Sequence, residues 1–147
     1  MRAQYTRAPS ASPGDAKTAG LLRRYIAAWE ANDIDALMAT LRSDATLEMP
    51  PYPLASAGHV AIRGFLATGI LDGAPGRWRG VTTEANGGPA VALYRRDGDR
   101  HRFTGLQLLS LDGERIATVT AYMDQSLAAP FRLPETLDPA SAATELP

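Results

Sequence analysis

Two Asp-Gly pairs, Asp97-Gly98 and Asp112-Gly113, each stand between runs of alternating apolar and polar residues. No short-range signal points more strongly to a two-residue hairpin loop. Side chains alternate faces along a strand, so a known loop fixes which residues share a face of the sheet. Pairing Arg96 with Asp99 sets Tyr94 opposite His101. Pairing Leu111 with Glu114 sets Phe103 opposite Tyr122 and His101 opposite Asp124. On this register Tyr94, His101 and Asp124 are expected side by side on three neighbouring strands, a phenol, an imidazole and a carboxylate placed for acid/base chemistry. Gln107 falls on the same face, where a neutral amide can orient a carbonyl or a water. One bulge would send a member of this row to the other face.

The remaining elements follow from periodicity. From Lys17 to Ala31, Leu21, Leu22, Tyr25, Ile26 and Trp29 recur at helical spacing, with Arg23, Arg24 and Glu30 off the stripe. Asn32 or Asp33 can cap a second helix carrying Ile34, Leu37, Met38 and Leu41 and ending near Arg42. Asp44 to Met49 reads as a strand that the Pro50-Pro51-Tyr52-Pro53 run stops. A third helix starts at Ser56 or Gly58 and faces Ile62, Phe65, Leu66 and Ile70 inward. Strands are then expected at Trp78 to Ala85, Ala90 to Arg95, Arg100 to Leu111 and Arg115 to Asp124, joined as an antiparallel meander. This organisation predicts a disordered leader over 1–16, one domain over 17–137 with Phe131 and Leu133 packing its tail, and a frayed end over 138–147.

Helices followed by a run of strands give an α+β fold: a curved antiparallel sheet with three N-terminal helices over one face, together forming a cone. Such a cone is a natural ligand cavity. Tyr25 and Trp29 form its roof, and as core aromatics they shape a ligand without reacting. An inward Glu48 would pair with Asp124 as a second carboxylate, with the two pKa values pushed apart; an outward one would not. Phe103 and Tyr122 fall on the cavity face of the computed register. The opposite face carries Ala117, Val119, Ala121 and Met123 beside Leu106 and Leu108, too apolar to stay wet, and predicts a homodimer packed sheet to sheet.

Composition narrows the function classes. Fifteen basic against sixteen acidic residues leave a net charge of −1, so no global field recruits nucleic acid or an anionic membrane. No stretch approaches the ~18 apolar residues of a membrane span. With no cysteine and two histidines, thiolate chemistry and a His-rich metal site are not expected. Arg63, Arg77 and Arg79 are too sparse for a phosphate site, and there is no Gly-rich phosphate loop. A cytoplasmic protein that uses no cofactor and no metal, and that takes a small hydrophobic substrate, is the expectation.

The words LLRRYIAAWEANDIDALMATLRSDATLEMPP, GRWRGVTTEANGGPAVALYRR, GLQLLSLDGERIATVTAYMD and FRLPETL resemble the SnoaL-like branch of the cone-shaped fold shared by ketosteroid isomerase, scytalone dehydratase and limonene epoxide hydrolase. The resemblance covers about residues 17 to 137. The wording is most similar to the domain appended to the C-terminus of some extracytoplasmic-function sigma factors. The chain begins with its own methionine and leader, so it looks more like the free-standing biosynthetic enzymes of the family. The resemblance implies a general base at Asp124, the position of the catalytic aspartate in SnoaL-like polyketide cyclases, with His101 as its assistant. The function it implies is a cofactor-independent cyclase or isomerase acting on a polyketide-like intermediate in natural product biosynthesis, with epoxide opening as a near variant. From a different class comes the alternative of a non-catalytic, ligand-sensing or interaction domain of the sigma-factor type.

Overall fold

The helical periodicities of the first half form three helices, the second and third ending earlier than read, at Thr40 and Leu66. α1 (Ala16–Ala31) turns Leu21, Leu22, Tyr25, Ile26 and Trp29 inward. α2 (Ile34–Thr40) is capped by Asp33, whose carboxylate accepts the Ala36 N–H at 3.1 Å, satisfying a donor that the first helical turn leaves without an intrahelical partner. Asn32 takes the left-handed conformation between the two helices (φ 57°). Then come β1 (Leu41–Glu48), β2 (Ala55–Ala57) and α3 (Gly58–Leu66), which buries Ile62 and Leu66. β3 (Trp78–Ala85), β4 (Gly88–Asp97), β5 (Arg100–Asp112) and β6 (Arg115–Tyr122) complete the main sheet, and a 3₁₀ turn over Gln125–Leu127 leads to β7 (Thr136–Leu137). This computed structural model describes residues 16–53, 55–72 and 74–138. Residues 1–15 of the expected leader and 139–147 of the expected frayed end lie outside the described residues.

The strand order is β2-β1-β6-β5-β4-β3, with β7 also paired to β5. β3 to β6 are the expected antiparallel meander, but β1 runs parallel to β6, so the sheet is mixed. Hairpin loops constrain only sequential strands, and β1 and β6 are joined by most of the chain. β2 and β7, three and two residues long, are too short to show a period of two.

The register differs from the expected one. Asp97 pairs with Arg100 and Asp112 with Arg115, so the loops are Gly98-Asp99 and Gly113-Glu114. Each glycine takes positive φ, 71° and 64°, at the first loop position, the arrangement that glycine permits without steric cost. Two register shifts follow. One falls between Leu93 and Tyr94, where Thr104 of β5 is the extra residue; the other between Ser110 and Leu111, where Ala117 of β6 is extra. Tyr94 therefore opposes Phe103, Arg96 opposes His101, and Tyr122 opposes Leu106. On its other side His101 meets Leu137 of β7, not Asp124. β6 ends at Tyr122, two residues short of the expected end.

Two cores result. The inner one joins the three helices to Leu47, Val91, Leu93, Leu109, Ile116 and Val119. Gly80 lets α1 approach β3 closely, since a Cβ there would lie 3.0 Å from the Ile26 side chain. The outer core holds Ala90, Ala92, Tyr94, Phe103 and Leu106 under Ala128 and Leu137, with Leu127, Phe131 and Leu133 packed against them. The C-terminal segment thus covers part of the outer face, as its Phe131/Leu133 cluster suggested. Val119, expected outside, is inside. Leu106 and Leu108 do face outward, but against the chain's own tail.

Candidate functional site

The cone forms, and its interior is almost filled. A hollow of about 20 Å³ remains, walled by Leu37, Leu41, Leu47, Ile62, Leu66 and Val119, with Tyr25, Trp29 and Gln107 as its polar members. That is space for about one water molecule. α1 supplies Tyr25 and Trp29, four residues apart and so on one face. β5 supplies Gln107 from the opposite wall, between Val91 and Ala121 in the sheet.

The Tyr25 hydroxyl donates to Gln107 Oε1 at 2.6 Å. Both residues are buried, as is Trp29. Burial pushes the Tyr25 phenol well above its ordinary range, offset in part by the nearby Trp29 indole; Tyr25 is therefore neutral at any physiological pH. Trp29 Nε1 has no acceptor in hydrogen-bonding geometry, which leaves a buried N–H facing its neighbours. The indole is held edge-on by Tyr25 (centroids 6.4 Å apart, planes at 65°) and Trp78 (5.3 Å, 76°). The arrangement can receive a small group with one acceptor atom, and it contains no group that exchanges a proton near neutrality.

The remaining expected site residues lie elsewhere. Asp124 is exposed at the start of the 3₁₀ turn, where its Oδ1 accepts from the Ser126 N–H (3.0 Å) and hydroxyl (2.7 Å). These bonds hold its carboxyl below the ordinary value of 3.8. Tyr94 lies in the outer core, stacked edge-on to Phe103 at 5.6 Å, and donates to the Pro134 carbonyl at 2.9 Å. His101 Nε2 meets the Gly76 carbonyl at 2.9 Å. The structure thus does not bring Tyr94, His101 and Asp124 together, because loop and bulge each move the register and β6 stops early. Phe103 and Tyr122 lie on the outer side because the extra residues Thr104 and Ala117 invert their faces relative to Gln107. Glu48 is exposed and turned outward, since its neighbour Leu47 opposes the inward Val119 and strand side chains alternate. Arg79 is mostly buried and bonds Glu30 at 3.3 Å. Among the described residues no group of three or more His, Cys, Asp or Glu could hold a metal, and no helix is long and apolar enough to cross a membrane.

Sequence reasoning assigned Val119 to the wrong side of the hollow. It read Leu37, Ile62 and Leu66 only as core, although their helical stripes were the signal that places them in the wall.

Two expected results follow. Tyr25→Phe leaves Gln107 Oε1 buried without its donor and should lower stability by about 1–3 kcal/mol. The double variant Tyr25→Phe/Gln107→Leu, apolar on both sides, should lose less than the sum of the two single changes in urea unfolding. For Asp124, the folded pKa lies below the unfolded one, so its contribution is present above 3.8 and lost as pH falls through the folded value. The stability difference between wild type and Asp124→Asn should therefore persist at neutral pH and close on acidification, as thermal unfolding across pH would record.

Comparisons with known proteins agree with the fold. The SnoaL-like domain family matches residues 22–119. The ECF RNA polymerase sigma factor SigG of Mycobacterium tuberculosis is 38% identical over 126 residues, covering 86% of this chain and 34% of that protein. The chain therefore spans about a third of the length of the curated relative it matches. Among solved structures, an NTF-2 like protein of unknown function from Burkholderia xenovorans aligns with a TM-score of 0.61 at 15% identity, over 74% of this chain and 83% of that one. A candidate ketosteroid isomerase from Kribbella flavida aligns at 0.56 and 22%, over 74% and 78%. A candidate polyketide cyclase from Xanthomonas campestris aligns at 0.52 and 20%, over 78% and 96%. These likenesses show the same α+β cone. With the family matching most of its length and the cone observed, the chain belongs to the SnoaL-like family.

Proposed function

We propose that this chain is a non-catalytic binding module of the kind appended to sigma factors, in which the hollow under α1 receives a small, mainly apolar molecule bearing one hydroxyl or carbonyl. The observation that carries this reading is chemical: the interior presents Tyr25, Gln107 and Trp29, all neutral hydrogen-bonding groups, while Asp124 lies outside and serves as a cap. A near-filled hollow suits a switch better than a reaction chamber, because a ligand that enters must displace the roof and thereby reports its presence to whatever packs on α1. The likeness to SigG supports the same reading. A second copy packed on the outer sheet face, beside the half-buried Thr118, Thr120 and Tyr122, completes the proposal.

A second reading keeps the cyclase or isomerase. The unpartnered Trp29 N–H is a donor of the type that stabilises a developing oxyanion, and solved structures named as isomerases and a cyclase share the fold. Asp124 would then be the base in an opened cone. One experiment separates the two. Thermal unfolding and tryptophan fluorescence are followed while cyclohexanone and cyclohexanol are titrated in, and ketosteroid, epoxide and polyketide-type substrates are assayed for turnover. The module reading expects saturable stabilisation with no product, and the same result in Asp124→Asn. Turnover that Asp124→Asn abolishes would establish the enzyme instead.

A further inference from the structure

Arg77, Arg95 and Arg96 line an open groove of about 410 Å³ at one end of the sheet, floored by Ala74 and Pro75. Its size is that of a small-molecule site. The strand pairing, which the sequence order hides, creates it. The Arg96 N–H donates to the Arg77 carbonyl at 2.8 Å, Arg95 opposes Arg102, and Arg96 opposes His101. Arg77, the residue before β3, thus stands in a row with Arg96 of β4 and His101 of β5. Like charges directly opposed across strands are destabilising.

The carboxylates at hand do not relieve the groove. Asp72 holds Arg77 at 3.0 Å, Asp97 holds Arg102 at 3.0 Å, and Glu30 holds Arg79. Among the described residues Arg95 and Arg96 have no carboxylate partner. Arg95 lies over the Trp78 ring at 5.9 Å, and Arg96 Nε donates to the Gly98 carbonyl at 3.2 Å. Counting Asp72, the groove keeps an excess of two positive charges from three guanidinium groups. Gly76 takes the left-handed conformation (φ 87°) beside the Arg96 guanidinium, where a side chain would be strained. The Gly76 carbonyl can only accept, so His101 Nε2 carries the proton in that contact. His101 Nδ1 is then left buried with no partner.

We propose that this groove binds a phosphate group carried on a small molecule. Guanidinium groups offer planar pairs of donors that match phosphate oxygens, and an Arg stacked on an indole is already oriented. A polynucleotide is the poorer fit: the net charge is −1, and Asp97 and Asp99 flank the turn beside the groove, where a continuing backbone would meet them. The proposal is independent of what the cone does.

The test is a titration of arginine-¹⁵N-labelled protein with inorganic phosphate and with glycerol 3-phosphate, at an ionic strength held constant with chloride. Saturable shifts of the Arg95 and Arg96 Nε–H signals are expected. Arg95→Gln and Arg96→Gln should each weaken binding about tenfold or more, the loss of one charge-assisted contact, while Arg23→Gln changes nothing. Arg96→Gln should also raise the melting temperature without phosphate, by relieving repulsion, and shrink the rise that phosphate gives the wild type. Inorganic phosphate binding as tightly as the ester supports the phosphoryl chemistry and makes the free anion the ligand. Shifts that track ionic strength alone, or binding unchanged in Arg95→Gln/Arg96→Gln, overturn the site. Tighter, steeply salt-dependent binding of a short DNA duplex would overturn it in favour of a nucleic-acid surface.

Discussion

Replacing Gly105 by valine should cost about 3 kcal/mol or more and strip the C-terminal segment from the sheet. A Cβ at this position would lie 2.8 Å from the Tyr122 carbonyl oxygen, 2.8 Å from Met123 Sδ and 3.2 Å from Met123 Cα. The thioether can swing aside; the backbone cannot. Overpacking usually costs about 1–3 kcal/mol, and contacts this short against main chain belong at or above the top of that range. The position also joins the two halves of β5. It follows the extra residue Thr104, and beyond it the partner of β5 changes from β6, whose last pair is Leu106 with Tyr122, to β7, which pairs with His101 and Arg102. Pushing Tyr122 and Met123 outward would move the start of the segment that carries Leu127, Phe131 and Leu133 onto Tyr94 and Phe103. Unfolding in urea should show the loss, and amide exchange should show Phe103, whose N–H donates to the Glu135 carbonyl at 2.8 Å, losing protection first. Gly64→Ala is the matched control: nothing lies within 4 Å of the added Cβ, and alanine in a helix interior should stabilise by about 0.5–1 kcal/mol. Equal behaviour of the two variants would sink the steric account.

Gly105 also shows where sequence reading stops. The helices were legible because their apolar stripes are long, and β3 was read at its observed limits, Trp78–Ala85, because alternation there is bounded by turn residues. The turns were legible as turns, yet Arg-Asp-Gly-Asp and Leu-Asp-Gly-Glu admit two loops one residue apart. Moving a two-residue loop by one position changes each residue's partner by two, so His101 slides from opposite Tyr94 to opposite Arg96 while staying on the same face. It is the bulges at Thr104 and Ala117 that invert the faces, and they carry no local signature of their own. Gln107 is found inside, as read, because it lies beyond the extra residue Thr104, opposite Val91 of the inner core. Tyr94 and His101 lie on the turn side of that bulge and share the other face, away from the cone. Asp124 is lost for another reason: an Asp followed by Gln-Ser is as good a turn cap as a strand end, and the Ser126 hydrogen bonds decide for the cap. Tyr25 and Trp29 were found because a roof needs only the helical stripe. The arginine groove was missed because Arg95 and Arg96 join Arg77 only through strand pairing.

Trp29→Ala should lower stability by about 3–5 kcal/mol, the ordinary cost of deleting a large aromatic from a packed core. Trp29 is 3% exposed and is gripped by Tyr25, Trp78 and the walls of the hollow. Its removal would merge the indole's volume with the existing 20 Å³ space, giving a cavity whose lining is apolar except for the Tyr25–Gln107 bond. A dry cavity of that kind takes up an apolar molecule of matching shape. Indole should therefore bind the variant and restore stability by mass action, by about 2.7 kcal/mol at a hundredfold excess over its dissociation constant, while leaving the wild type little changed. The rescue separates two consequences that truncation alone confounds. If the variant is destabilised and indole does not restore it, the roof has collapsed and the hollow is not a preformed receptor. If it is rescued, and Gln107→Leu in the same background changes the preference between indole and naphthalene, then the polar wall reads the ligand's hydrogen-bonding group. That is the property a sensing module requires and a merely well-packed cone lacks.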